Sequence, residues 1–372
     1  MKILITGGAG FIGSYLSERL LDLGHTITGL DNLDPQVHPP GTPTYFPPEA
    51  QLIVGDVRDR QALKNALDGV EAVVHCAAAV GVAQSLYRPQ HYVDVNVGGT
   101  ALLMELLAER RESIKKLLIF TSMTCYGEGL YRRPSDGSLQ RIGIRTWEQI
   151  RAHGWEPVCP ETWEVLEPVP TSEDSELQAR NVYALTKKYQ EELAFSLGEV
   201  FGFPISCMRL FNVYGPRQSL SNPYTGVLAI FLSRLLSGKP PLVYEDGGQT
   251  RDFISVHDVV EAAVLVLEKE GTNGQVINIG SGISKCIGDC AGQIAKLLGK
   301  KDLEPTISGQ FRKGDIRHCT ADITKARKLI GFAPMVSWEN GLAELLAWGG
   351  SHSIVDRSSQ AEAELRRWGL VK

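Results

Sequence analysis

The chain opens with KILITGGAGFIGSYLSERLLD, an apolar run, a glycine-rich turn and a helix-like stretch with nothing between them. Residues 2–6 read as a buried strand. Phe11, Ile12, Leu16 and Leu20 recur at helical spacing over residues 11–22. The glycines fall at 7, 10 and 13, and each position has its own reason. Gly7 permits the tight turn, Gly10 lets a ligand's pyrophosphate come close to the backbone, and Gly13 lets helix and strand pack closely. Phosphates then rest on the helix N-terminus, where free N–H groups and the helix dipole favour negative charge. Gly7, Gly10, Phe11, Ile12 and Gly13 are therefore expected to line a dinucleotide site.

The next segments agree. Asp31 closes a second strand, TITGL, 18 residues beyond Gly13, where a carboxylate would accept the adenosine ribose hydroxyls and repel a 2′-phosphate. It is followed by Asn32 and by no immediate arginine, so NAD is expected rather than NADP. Asp56 and Val57 in GDVRD fall at the end of a third strand and suit the adenine edge; Asp56 could instead cap a helix. Ala77, Ala78 and Ala79 supply small residues where the backbone must pass close to the cofactor.

Beyond that unit, strands and helices keep alternating. A Pro-rich loop (36–48) precedes QLIVGD; a helix from about 60, AVVHCAAA, a helix from about 92 to 110 and KKLLIF follow. This rhythm implies a parallel, doubly wound sheet of Rossmann type, covered on both faces. The first domain is expected over 1–211, and a smaller mixed α/β substrate domain over 212–372. Residues 128–180 break the rhythm. They carry Trp147, Trp155 and Trp163 and are too long for a structureless loop, so a folded insertion or lid with a helix near 146–153 is expected. The strand PISCMRLF and a further strand, QVINIG, come later, and AEAELRRWGLVK reads as an amphipathic tail helix.

Composition mostly excludes. With 372 residues the chain can bury a sizeable core, and a net charge of −5 makes nucleic acid a poor partner. Apolar runs are too short for a membrane span, and the opening strand leaves no stretch resembling a signal peptide. The seven cysteines form no CxxC pair and the eight histidines no HExxH, so reduced cytoplasmic thiols and no metal are expected.

Catalytic chemistry is concentrated in two places. Ser122 falls where the strand KKLLIF opens, in TSMTCYG. Tyr183 and Lys187 are four apart on a strongly helical stretch and share a face. A nearby ammonium should lower the phenol pKa, so that Tyr183 can take a hydroxyl proton as hydride leaves the same carbon.

With GGAGFIG, GDVRD, TSMTCYG, YALTK, RLFNVYGPRQ, RDFISVHDV and RKGDIRH in place, the chain resembles the extended short-chain dehydrogenase/reductases of the nucleotide-sugar epimerase/dehydratase type, over nearly its whole length. The resemblance implies a Ser122–Tyr183–Lys187 triad, and Asn96 on a helix behind the cofactor. It also implies a substrate site with Thr124 beside the sugar and Asn212, Arg251 and Arg312 on the diphosphate. Dehydratases of this family carry Asp-Glu after the Ser/Thr, and 3,5-epimerising members a Cys at the position of Thr124. Here Met123 and Thr124 stand there, and Cys125 comes one residue late. What remains is oxidation at C4 and return of the hydride, the work of a 4-epimerase. SLSNPYTGVLAIF, DNLDPQVH and the insertion are most similar to the bacterial dTDP-L-rhamnose 4-epimerase subgroup. Its insertion carries several cysteines; Cys159 alone cannot build a tetrahedral zinc site, so no zinc is expected. A UDP-hexose or UDP-uronate epimerase, and a net oxidoreductase or decarboxylase, remain as alternatives. The family resemblance also implies a homodimer.

Overall fold

Each short apolar run of the first half becomes a strand. They are β1 (Lys2–Thr6), β2 (Thr26–Asp31), β3 (Gln51–Val54), β4 (Ala72–His75), β5 (Lys116–Ser122) and β6 (Ile205–Leu210), with β7 (Gln275–Ile279) from further along the chain. The computed structural model describes residues 1–38, 43–312, 314–352 and 354–371. Part of the Pro-rich loop (39–42), and Lys313 of the RKGDIRH motif, lie outside the described residues.

The seven strands are parallel, in the order β7–β6–β5–β4–β1–β2–β3. From β1 the chain steps outward to β2 and β3, then restarts at β4 on the other side of β1. That reversal opens a crevice at the carboxyl ends of β1 and β4. Side chains of successive residues go to opposite faces. Ile3, Ile5, Leu118 and Phe120 pack with α1 (Phe11–Asp22) on one face. Leu4, Val73, Leu117 and Ile119 pack on the other with α2 (Arg60–Ala66), α3 (Gly99–Ala108) and α4 (Val182–Phe201). The whole of β5 is buried, as expected of a strand covered on both sides.

Two features differ from the sequence-based boundaries. Strand β7, and helix α5 (Val256–Glu268) that packs under the sheet, lie beyond residue 211 yet complete the first layer. The chain leaves this layer after β6 and comes back to add β7 beside it as the new edge strand. The helix expected over 92–110 starts at Pro89 and contains a π-helical stretch, Val93–Gly98, before α3.

The second layer is a small mixed sheet. Thr250–Ser255 pairs in parallel with Asn212–Tyr214 and His318–Cys319, and antiparallel with Ser284–Cys286. Helices Val227–Leu236, Ile287–Leu297 and Trp338–Gly350 back it with a separate apolar core. The tail forms a helix over Ser358–Arg367. Within the insertion, Leu130–Arg132 pairs antiparallel with Leu139–Gln140 and Glu167–Val169 around Tyr131, Ile142, Cys159 and Leu166. The expected helix is Trp147–His153, capped by Thr146. Among the described residues no helix is long and apolar enough to cross a membrane, and no cluster of three metal-binding side chains occurs.

Candidate active site

The glycine-rich turn is as crowded as its spacing implied. Gly7 has φ +69°, and a Cβ there would lie 2.9 Å from the Ala77 nitrogen; one on Gly13 would lie 2.1 Å from the Gly7 carbonyl oxygen. Helix and strand can meet only because both side chains are absent. No side chain caps α1 and no acid lies in its first turn, so its N-terminus at Gly10, Phe11 and Ile12 is free for an anion. Asp31 is buried at the end of β2, where it accepts from the Ala9 and Leu33 N–H groups at 3.1 and 2.9 Å. Its carboxylate thus ties the turn to the strand.

Asp56 is gripped by the fork of Arg58 at 2.8 and 2.7 Å and by Asn32 at 3.1 Å. The hydrogen bonds to Arg58 hold its carboxyl down at about 2. It is not a helix cap; Asp59 caps α2. Val57 packs against Gly99 in the cover layer. The loop carrying Ala77, Ala78 and Ala79 is pinned at both ends, Ala77 N–H to the Thr6 hydroxyl (3.3 Å) and Ala79 N–H to Asn96 Oδ1 (2.8 Å). Asn96, inside the π-helical stretch, spends its amide protons on the Ala79 carbonyl (3.1 Å) and on Thr186 of α4 (2.9 Å). Its side chain therefore serves the crevice through the loop it holds.

At the end of β5, Ser122 caps a short turn, Met123–Tyr126. Both the N–H and the hydroxyl of Thr124 donate to Ser122 Oγ, at 3.2 and 3.0 Å. The proton of Ser122 is left for another acceptor, and the Tyr183 phenol is its hydrogen-bonding neighbour. Asn181 caps α4, and the Tyr183 N–H is anchored on the Ser85 hydroxyl at 3.0 Å. Lys187, one turn on, donates to the Phe120 carbonyl at 2.9 Å.

Here the sequence-based expectation is corrected. Burial pushes the Tyr183 phenol up to about 12, opposed by its hydrogen bond with Ser122. Lys187 is itself pulled down to about 8 by burial. Its ammonium is aimed at the Phe120 carbonyl, and the influences on the phenol are burial, Ser122 and Cys125.

Residues 123–125 offer no ionised group. Met123 is buried with Tyr126, Phe211 and Ile316. Cys125 turns to the Ala184 carbonyl (3.7 Å), and burial pushes its thiol up to about 12. Sequence reasoning missed the support beneath the triad. Tyr92 meets Tyr183 edge-on, with ring centroids 6.4 Å apart. His75 bridges Thr6 (2.7 Å) and Thr100 (2.9 Å), and burial holds it neutral with a pKa of about 3. Tyr92 precedes Asn96 by four on one helix, a spacing that was legible; the His75 contacts were not.

At the far end of the crevice, Asn212 has a buried Oδ1 with no partner among the described residues. Arg251 donates only to backbone carbonyls, of Thr250 (2.8 Å), Arg317 (3.0 Å) and Ile316, and makes no ion pair among the described residues. Burial lowers its pKa. A partly buried cation with no carboxylate bonded to it among the described residues suits an anionic ligand. Arg312, the expected second clamp, donates from Nε to Asp315 at 2.8 Å, and its guanidinium lies 4.6 Å over the Tyr244 ring.

Comparisons with known proteins agree with this arrangement. The model of the NAD dependent epimerase/dehydratase family matches residues 3–146 and 160–280. A dTDP-L-rhamnose 4-epimerase of Burkholderia thailandensis is 38% identical over 93% of this chain and 94% of its own. A UDP-N-acetyl-alpha-D-glucosaminuronate decarboxylase of Bacillus cytotoxicus is 30% identical over 93% and 97%. The solved UDP-glucuronic acid 4-epimerase of Bacillus cereus, in complex with UDP-glucuronic acid and NAD, superposes with a TM-score of 0.74 at 26% identity, over 94% of this chain and 99% of its own. The uncapped helix, the crowded glycine turn and the strand-end carboxylate fit NAD. The chain belongs to the NAD dependent epimerase/dehydratase family and is an NAD-dependent enzyme of the epimerase type.

Proposed function

We propose that the protein is a nucleotide-sugar 4-epimerase that interconverts dTDP-L-rhamnose and dTDP-6-deoxy-L-talose. The observation that carries the reaction type is local. Ser122, Tyr183 and Lys187 are gathered at the crevice, while residues 123–125 present a buried methionine, a hydroxyl already bonded to Ser122 and a buried neutral thiol. Elimination of water, or proton abstraction beside the keto group, needs an acid–base side chain that these positions do not supply. The similarity to a dTDP-L-rhamnose 4-epimerase supports the substrate class.

Gly7, Gly10, Phe11, Ile12, Gly13, Asp31, Asn32, Asp56, Val57 and the Ala77–Ala79 loop that Asn96 pins would hold NAD, which would serve as hydride acceptor and donor. Tyr183 takes the proton of the C4 hydroxyl and later gives it back. Ser122, already accepting twice from Thr124, directs its one proton to the reacting oxygen. Lys187, protonated below about 8, places positive charge beneath the pair. Asn212, Arg251 and Arg312 hold the diphosphate, and that remote anchorage lets the 4-keto sugar turn its other face to the same site.

Two further expectations go with this reading. Leu185 and Tyr189 on α4 and Val93 on the neighbouring helix are exposed, which supports a homodimer built on a four-helix contact. Seven free thiols support a reducing, cytoplasmic setting.

The substrate is tested by proton NMR on dTDP-L-rhamnose, UDP-glucose and UDP-glucuronate offered separately without added NAD. The dTDP sugar should give its C4 epimer with the highest kcat/KM. Faster turnover of a UDP sugar would overturn the substrate. Release of carbon dioxide from UDP-glucuronate would favour the decarboxylase reading that the Bacillus cytotoxicus relative supports.

A further inference from the structure

Between the insertion and the second layer lies a buried cluster of charge that the proposed reaction does not use. Arg145, from the insertion, has a side chain only 1% exposed. It donates to Glu128 (2.9 Å), to both oxygens of Glu245 (3.1 and 2.8 Å) and to the carbonyls of Trp155 (3.2 Å) and Asp315 (3.3 Å). Glu128, in turn, accepts the Arg317 backbone N–H on both its oxygens, at 3.0 and 2.9 Å. The Arg317 guanidinium also bonds Glu245, at 2.8 Å. The carbonyls of Ile316 and Arg317 are those that receive the Arg251 guanidinium. One chain of contacts thus runs from Arg145 through Glu128 and the backbone of 315–317 to Arg251.

The charge pattern gives this chain a purpose. Arg145 is paired with Glu128 and Glu245, and Arg317 with Glu245, Glu156 and Asp246, whereas Arg251 beside them makes no ion pair among the described residues. Without Arg145, Glu128 and Glu245 would compete with a ligand for Arg251, on which Asp315 and, more weakly, both of these carboxylates act through space. The fork of an arginine is needed, because one side chain must bridge two acids and two carbonyls.

We infer that Arg145 is a positioning residue for substrate binding: the insertion, through Glu128 and the 315–317 backbone, aims Arg251 at the diphosphate and keeps its charge free. The insertion then acts as a fixed wall of the site. This rests on the reading of Arg251 as a diphosphate clamp, and the test separates the two.

The NAD-loaded, full-length protein is titrated calorimetrically with thymidine diphosphate and thymidine monophosphate. Arg145→Lys, which keeps the charge and loses the fork, should bind the diphosphate about tenfold more weakly and the monophosphate much less so. Its KM for the nucleotide sugar should rise while kcat and retained NAD hold. Arg145→Met should bind the diphosphate still more weakly, and Arg145→Met/Glu245→Gln should recover part of that loss by removing the competing charge. If Arg145→Met does not fold, the lysine variant alone decides. Diphosphate binding unchanged in folded Arg145→Lys, or equal loss for both nucleotides, would overturn the inference. Unchanged diphosphate binding in Arg251→Met would overturn the clamp itself.

Discussion

The sheet around β5 and the floor beneath the insertion are buried to a similar depth but are held by different forces. Around β5, Leu117, Leu118, Ile119 and Phe120 are covered on both faces by apolar side chains. Under the insertion, Glu128, Arg145, Glu245 and Arg317 fill the interior with charge. Apolar burial tolerates reshaping and is indifferent to pH, whereas a buried ionic cluster is valuable only when complete, since any single removal strands a dehydrated charge. The proposed triad hangs on the first region and the proposed diphosphate site on the second. Catalysis and substrate binding should therefore fail separately.

The largest separation is expected at the triad. Tyr183→Phe should lower kcat by about 10²–10⁴-fold, the usual contribution of a positioned acid–base group, with both regions still folded by thermal melting. A comparable loss of melting temperature would mean that the phenol is structural.

Glu245→Ala comes next. It leaves Arg145 and Arg317 facing each other in the interior and should cost about 3–5 kcal/mol in denaturant unfolding. Leu118→Ala, in β5, should cost about 2–5 kcal/mol by leaving a cavity. The two should differ in kind, because adding Arg145→Met to Glu245→Ala should restore part of the loss, and no second truncation should rescue Leu118→Ala.

Acid sharpens the contrast. Burial would raise the Glu156 carboxyl, but hydrogen bonds and charge from His318 and Arg317 prevail and hold it at about 2, against an ordinary 4.5. A depressed folded pKa stabilises fully above about 4.5, and that stability is lost as pH falls toward about 2. Asp246 on the same arginine is shifted in the same direction. Melting temperature should fall across that window, and Glu156→Gln should flatten the fall. Leu118→Ala should displace the whole curve without changing its slope.

The smallest effect is expected at Asn96→Ala, which strands the Ala79 N–H and carbonyl. About 1–3 kcal/mol of stability should go, together with slower retention of NAD on gel filtration.

Legibility in the sequence follows the same division. Gly7 and Gly13 could be read because close approach leaves no alternative to glycine, and Ser122, Tyr183 and Lys187 because strand ends and helical spacing place them. The helix at Trp147–His153 announced itself with Thr146 as its cap. The return of β7 to the sheet was hidden, since its partner β6 lies far upstream and parallel pairing leaves no local mark. The direction of the Tyr183 shift was hidden too, because it depends on how much protein surrounds the phenol. Arg145 reads locally as one more polar residue of a loop; its acids lie 17 and 100 positions away.

The most direct measurement follows dTDP-L-rhamnose and the purified enzyme in D2O, without added NAD, by proton NMR. A hydride that leaves C4 and returns to it predicts the C4 epimer with no deuterium on any ring carbon. Deuterium at C3 or C5 would contradict it, and would require a base that Met123, Thr124 and Cys125 do not provide.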